Sequence, residues 1–264
     1  MIVVNVKYRQ LLFGEEKIKT MNYFTKEWYE LCQNTSGNLH LEEDEQAESF
    51  SEEYFQQLYN QKLTEFLGSW KEITRITHDP FDSEKLSRQF EEGFIYNQEH
   101  IKKILPTEIL KMIADIRVYV LDKASRQVIN DVTIFCKNNK KLVNRTITEY
   151  NNYYKKALKS FDKDMVENIH FHDCRVIDIK QTEQSLSILF DNSGGFTDIY
   201  EIQFENYKII KQDALLQNAW WIYDEIYKTN GKYELQVLLQ NKDMNLVEFS
   251  VSAEHIYFKK NQER

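Results

Sequence analysis

The chain has 264 residues, 42% of them apolar and 29% charged, enough for one large core or two small ones and too apolar for a disordered chain. Thirty-four basic residues against forty-two acidic ones leave a net charge of −8, which makes a phosphate backbone a poor partner. Two prolines and seven glycines exclude collagen-like repeats, Gly-rich linkers and phosphate-cradling loops, and no cofactor is expected.

Residues 1–20 carry no basic n-region and no small-residue cleavage site, so they make a poor signal peptide. Codons for Gly14-Glu15-Glu16 can spell a ribosome-binding purine run ahead of Met21. The expectation is therefore a natural start at Met21 with 1–20 as translated leader; the alternative is an edge strand over 1–6. Ser51, with Glu52 and Glu53 behind it, reads as the N-cap of a helix over 51–75. Phe50 and Phe55 stand at staple spacing, and Phe55, Leu58, Leu63, Phe66, Leu67, Trp70 and Ile73 make the apolar stripe.

Asp79-Pro80 signals a second helix carrying Leu86, Phe90, Phe94, Ile101 and Ile104. Pro106 opens a third, with Ile109, Ile113, Ile116 and Val120. Ser125 caps a fourth with Val128, Val132 and Phe135, and a fifth runs over 141–161. After about Asp164 the apolar period changes from 3.6 to 2. Strands are expected over 175–180, 185–191, 198–204, 220–227, 233–240 and 247–251, with a turn at Asn192-Ser193-Gly194-Gly195 and a hairpin at Asn230-Gly231. The fold class is thus α+β: a multi-helix domain over 21–165 followed by a mostly antiparallel β domain over 166–264.

Cys32, Cys136 and Cys174 are odd in number and widely spaced, which argues against disulfides and for a reducing cytoplasm. No apolar run approaches the roughly 18–20 residues of a membrane span, so no membrane partner is expected.

Met21-Asn22-Tyr23-Phe24-Thr25-Lys26-Glu27-Trp28-Tyr29 resembles the opening of an uncharacterised family of intracellular proteins from Gram-positive bacteria. His78-Asp79-Pro80-Phe81-Asp82, Leu105-Pro106-Thr107-Glu108-Ile109-Leu110 and Ile113-Ala114-Asp115-Ile116-Arg117-Val118 are similar to its middle. The resemblance covers about 21–161 and implies no activity and no catalytic residue. The β half, with His172-Asp173 and Trp221-x-Tyr223-x-Glu225, resembles the sheet domains of bacterial immunity-type proteins in pattern only.

Three constellations bear on function. On an extended strand His170, His172 and Cys174 point to one face, as metal ligands could. Trp221, Tyr223, Glu225 and Tyr227 alternate onto one face of a strand, a mixture typical of interfaces. Trp220, with Ile222 and Ile226, is expected in the core. Between Lys137 and Lys163 lie eight bases with Tyr150, Tyr153 and Tyr154 among them, which could stack on nucleobases. Asp115 and Arg117 are expected to pair elsewhere rather than with each other. No nucleophile elbow and no glycine-flanked cysteine is present, so no catalytic residue is assigned. The expectation is a non-catalytic, immunity- or regulator-like binding protein with a protein partner, using Trp221, Tyr223, Glu225, Tyr227, His172 and Asp173. The alternatives are a metal-dependent hydrolase using His170, His172 and Cys174, and nucleic-acid binding between Lys137 and Lys163.

Overall fold

A computed structural model describes residues 21–260. The expected leader or edge strand at 1–20 lies outside the described residues. The fold is α+β, with helices first and an antiparallel sheet after them. By packing the described residues divide into two compact units, Glu30–Asn144 and a second made of 21–29 with 145–260. The change from helix to strand falls after Asn168.

In the first unit, β1 (Glu42–Glu43) pairs in parallel with β2 (Lys123–Ala124). Helix α2 (Glu52–Thr77) starts where its cap predicts: the Ser51 side chain accepts the Tyr54 N–H. Of its stripe only Phe55 and Leu58 are buried, with Tyr54 beside them, whereas Trp70 and Ile73 stay exposed. His78 closes it in the left-handed region at φ 61°. Helix α3 (Ser83–Ile104) is capped by Asp82, not by Asp79, because the Asp82 carboxylate accepts the Lys85 N–H. Phe90 and Phe94 of α3 meet Tyr59 of α2 at 5.3 and 5.2 Å between ring centres.

The single helix expected after Pro106 is two short ones, α4 (Thr107–Leu110) and α5 (Ile116–Tyr119). Asp115 interrupts it by capping α5 with its own side chain, accepting the Arg117 N–H at 2.9 Å. The Arg117 guanidinium then folds back on Asp115 at 2.8 Å and reaches Glu52, so the two residues do pair with each other. That guanidinium lies 4.0 Å from the Phe55 ring centre and 5.2 Å from that of Phe50. The staple aromatics therefore hold a cation between them. The fourth and fifth helices expected from sequence are one, α6 (Arg126–Ala157), entered through Ser125.

In the second unit, α1 (Lys26–Gln33) begins in residues 21–29 and α7 (Lys163–Asn168) leads into eight strands. These are β3 (Arg175–Gln181), β4 (Ser185–Asp191), β5 (Ile199–Glu205), β6 (Lys208–Gln212), β7 (Trp220–Thr229), β8 (Lys232–Gln240), β9 (Leu246–Ala253) and β10 (His255–Lys260). Their order is β10-β5-β4-β3-β7-β8-β9-β6, all antiparallel. Asn230 and Gly231 take φ 54° and 78° at the tip of the β7–β8 hairpin, as an Asn-Gly turn requires. The β3–β7 join is a single pair, Arg175 with Trp220, so the sheet consists of two four-stranded halves. Val176, Ile188, Ile202 and Phe204 from one half share a single apolar cluster with Ile226, Leu235, Val237 and Phe249 from the other. Each such fully buried side chain contributes about 1.5–3 kcal/mol, so this cluster is the main source of the unit's stability.

Candidate functional site

A register shift between Trp221 and Tyr223 controls the chemistry of β7. One extra residue in the strand moves Trp221 onto the same face as Asp224 and Ile226, against strict alternation. Trp221 is accordingly 1% exposed, packed on Phe171 and Phe190 at 5.1 and 5.6 Å, while Trp220 is 41% exposed. This reverses the sequence expectation for the two tryptophans. The Trp221 indole Nε1–H donates to Asp224 Oδ2 at 2.9 Å.

Tyr223, Glu225 and Tyr227 lie on the opposite face, and they do not form the open surface expected of them. Residues 21–29 cover it. Glu225 is fully buried, and its carboxylate accepts three successive backbone N–H groups: Asn22 at 2.9 Å, Tyr23 at 2.7 Å and Phe24 at 2.6 Å. Tyr227 donates its hydroxyl to the same carboxylate, and burial together with the Glu225 charge raises the Tyr227 phenol above its usual range. Consecutive N–H groups converging on one anion form a nest, here filled from within the chain. Phe24 packs tilted and Trp28 edge-on against Tyr223, at 5.3 and 4.9 Å between ring centres. From α6, the Tyr150 hydroxyl accepts the Ile226 N–H and the Tyr153 hydroxyl donates to the Ile226 carbonyl. These tyrosines face the sheet while Lys155 and Lys156 face solvent, so rings and charges are not interleaved on one surface.

The segment His170-Phe171-His172-Asp173-Cys174 is not a strand. β3 starts at Arg175, and Asp173 turns the chain in the left-handed region at φ 66°. The alternation that would align His170, His172 and Cys174 is therefore lost. Cys174 is fully buried, its thiol pushed up to about 11 by burial and by Asp173 and Asp191. Among the described residues no group of three or more His, Cys, Asp or Glu side chains is placed to hold a metal ion.

His170 and His172 do line one cavity, of about 370 Å³, with Ile169, Phe171, Phe196, Ile222, Tyr223 and Asp224. Asp224 is only partly exposed, and burial, reinforced by Glu225, pushes its carboxyl up to about 6 against the Trp221 hydrogen bond and the influence of His172. Its one described hydrogen bond is that from Trp221; no described residue donates to Oδ1. The His172 ring stands edge-on to Tyr223 at 5.4 Å, and its Nδ1 lies 3.0 Å from Asp173 Oδ2.

The rim is set by the β4–β5 turn. Asn192 holds it by donating to the Thr197 and Ile199 carbonyls. A Cβ on Gly195 would lie 2.5 Å from Cys174 Sγ and 3.1 Å from the His172 carbonyl, so only glycine lets the turn pack on the corner. Phe196, next in line, is 87% exposed. Of the residues singled out from sequence, the cavity gathers His170, His172 and Tyr223. Asp224 and Phe196 were missed as site residues, because the register shift and the turn contact that place them leave no periodic signal.

One protein family matches this chain, described as "Protein of unknown function (DUF4085)", over residues 49–250. The match takes in the cavity and Glu225 but starts after the 21–29 segment that Glu225 holds. No curated protein and no solved structure is similar enough to match.

Proposed function

Because the chain belongs to the DUF4085 family of proteins of unknown function, we propose from its own geometry that it is a non-catalytic cytoplasmic binding protein whose partner docks at the His170–Cys174 corner. The observation that carries this is Phe196, 87% exposed on a turn fixed against the mouth of the cavity. A large exposed aromatic on a rigid support beside a partly apolar cavity has the composition of an interface hot spot. His172 and Asp173 are both solvent-facing at the same mouth. The cytoplasmic setting is supported by three free cysteines and by the lack, among the described residues, of any helix long and apolar enough to cross a membrane.

The test is site-specific photo-crosslinking in the native host. A photoreactive residue at 196 is expected to trap one dominant protein, and the same probe at exposed Tyr257 on β10 is not. Identical cross-linked species at both positions, or none at 196, would remove the reading.

A further inference from the structure

We propose that this cavity binds a cationic group on an apolar stem, a primary ammonium or a guanidinium, with Asp224 as its counter-charge. The inference rests on the reading of the cavity as a binding site and adds the chemistry of its occupant. Asp224 Oδ2 is taken by Trp221 Nε1–H, whereas Oδ1 has no donor among the described residues. The nearest charged neighbour on its own strand is Glu225, an anion already saturated by Asn22, Tyr23, Phe24 and Tyr227. The corner segment offers His170 and His172, while Asp173 adds a second negative charge at the mouth. Tyr150 and Tyr154 of α6 are close enough to feel the Asp224 charge but bring none of their own.

An ionised carboxylate half-withdrawn from water, with one oxygen that no described side chain pairs, is costly, and a cation entering the cavity offsets part of that cost. The walls suit such a guest. Tyr223 and the rim Phe196 add aromatic surface to the lining, and Ile169 and Ile222 add alkyl surface. A volume of about 370 Å³ fits a butyl chain with its charged head and is small for a folded polymer segment.

The Trp221 indole N–H reports directly on Asp224, so its ¹H–¹⁵N resonance is the readout. The full chain is titrated at pH 7.5 with n-butylammonium, n-butylguanidinium, neutral n-butanol and the peptide acetyl-Gly-Lys-Gly-amide. Saturable shifts with the cations, at least tenfold tighter than with butanol, are expected, and Asp224→Asn should abolish the difference. Butanol matching the cations, no saturable shift with any cation, or full cation binding in a folded Asp224→Asn protein would each overturn the proposal. The alcohol control makes the same contrast in the unaltered chain should that variant not fold. A peptide tighter than butylammonium identifies a partner's side chain as the source, and the reverse order identifies a free amine. Failure of the cations while position 196 still cross-links a partner sinks the cation chemistry alone. Cation binding without a cross-link sinks the protein-partner reading alone.

Discussion

Two side chains on β7 put the strongest local claims to the test. Trp221 is buried among Phe171, Phe190 and Ile226, so Trp221→Ala should cost about 3–5 kcal/mol. Trp220, 41% exposed, should cost less than about 1 kcal/mol on the same change. Denaturant melts decide it, and equal losses would mean that the strand does not shift register at Ile222. Asp224 supplies a pH signature. Its carboxyl sits near 6 in the folded chain against 3.8 for an ordinary aspartate. Between these values the unfolded chain loses a proton that the folded chain keeps, so this group lowers stability as pH rises, with no further change above about 6. Asp224→Asn keeps an acceptor for Trp221 and removes the charge. Its unfolding free energy relative to the unaltered chain, read from denaturant melts, should therefore climb from pH 4 to pH 6 and then level, by an amount of order 1–3 kcal/mol. A flat difference across that window would show that Asp224 ionises normally. A destabilising carboxylate that persists in a cavity is the expected trade of stability for binding.

At the level of elements, the β4–β5 turn and the corner before β3 act as one piece. Gly195→Ala drives a methyl into Cys174 Sγ and the His172 carbonyl and should cost about 1–3 kcal/mol, while shifting the Trp221 indole resonance through the cavity. Gly194→Ala, with its nearest approach at 3.2 Å, should cost less; the reverse ranking in thermal melts would reject the packing described. Elements whose signals are local are legible in the sequence: the Ser51 cap, the Asn230-Gly231 hairpin and the strands β4, β5, β8 and β9, although β8 and β9 are buried on both faces rather than on alternate residues. The helix after Pro106 is broken because Asp115 caps α5, a switch that apolar spacing does not encode, and the same spacing gives no reason to join the two halves of α6. The faces of β7 were inverted at Trp220 and Trp221 since a bulge changes parity without changing composition. Of the site, sequence supplied His170, His172 and Tyr223. It could not supply the cavity, which exists only where turn, corner and bulge meet.

On the scale of the molecule, the sheet unit is closed by residues far away in sequence. Met21, Phe24 and Trp28 are buried with it, and each large one contributes about 1.5–3 kcal/mol. A chain starting at Glu30 should therefore melt at least about 10 °C lower in its near-ultraviolet signal. Glu225→Gln in the intact chain should shift the melt in the same direction by less, because one carboxylate oxygen becomes a donor facing N–H groups. Unchanged melting of the shortened chain would show that the nest contributes nothing.

The three N–H groups that hold Glu225 stand 201 to 203 positions ahead of it in the chain. On a ribosome adding roughly 5–20 residues per second, they wait about 10–40 s for their carboxylate to be made. Throughout that interval Phe24 and Trp28 have no Tyr223 to cover them. The earliest described residues to leave the ribosome are thus among the last to find their place, and the nascent chain offers a sticky aromatic segment to any holdase within reach until β7 has emerged.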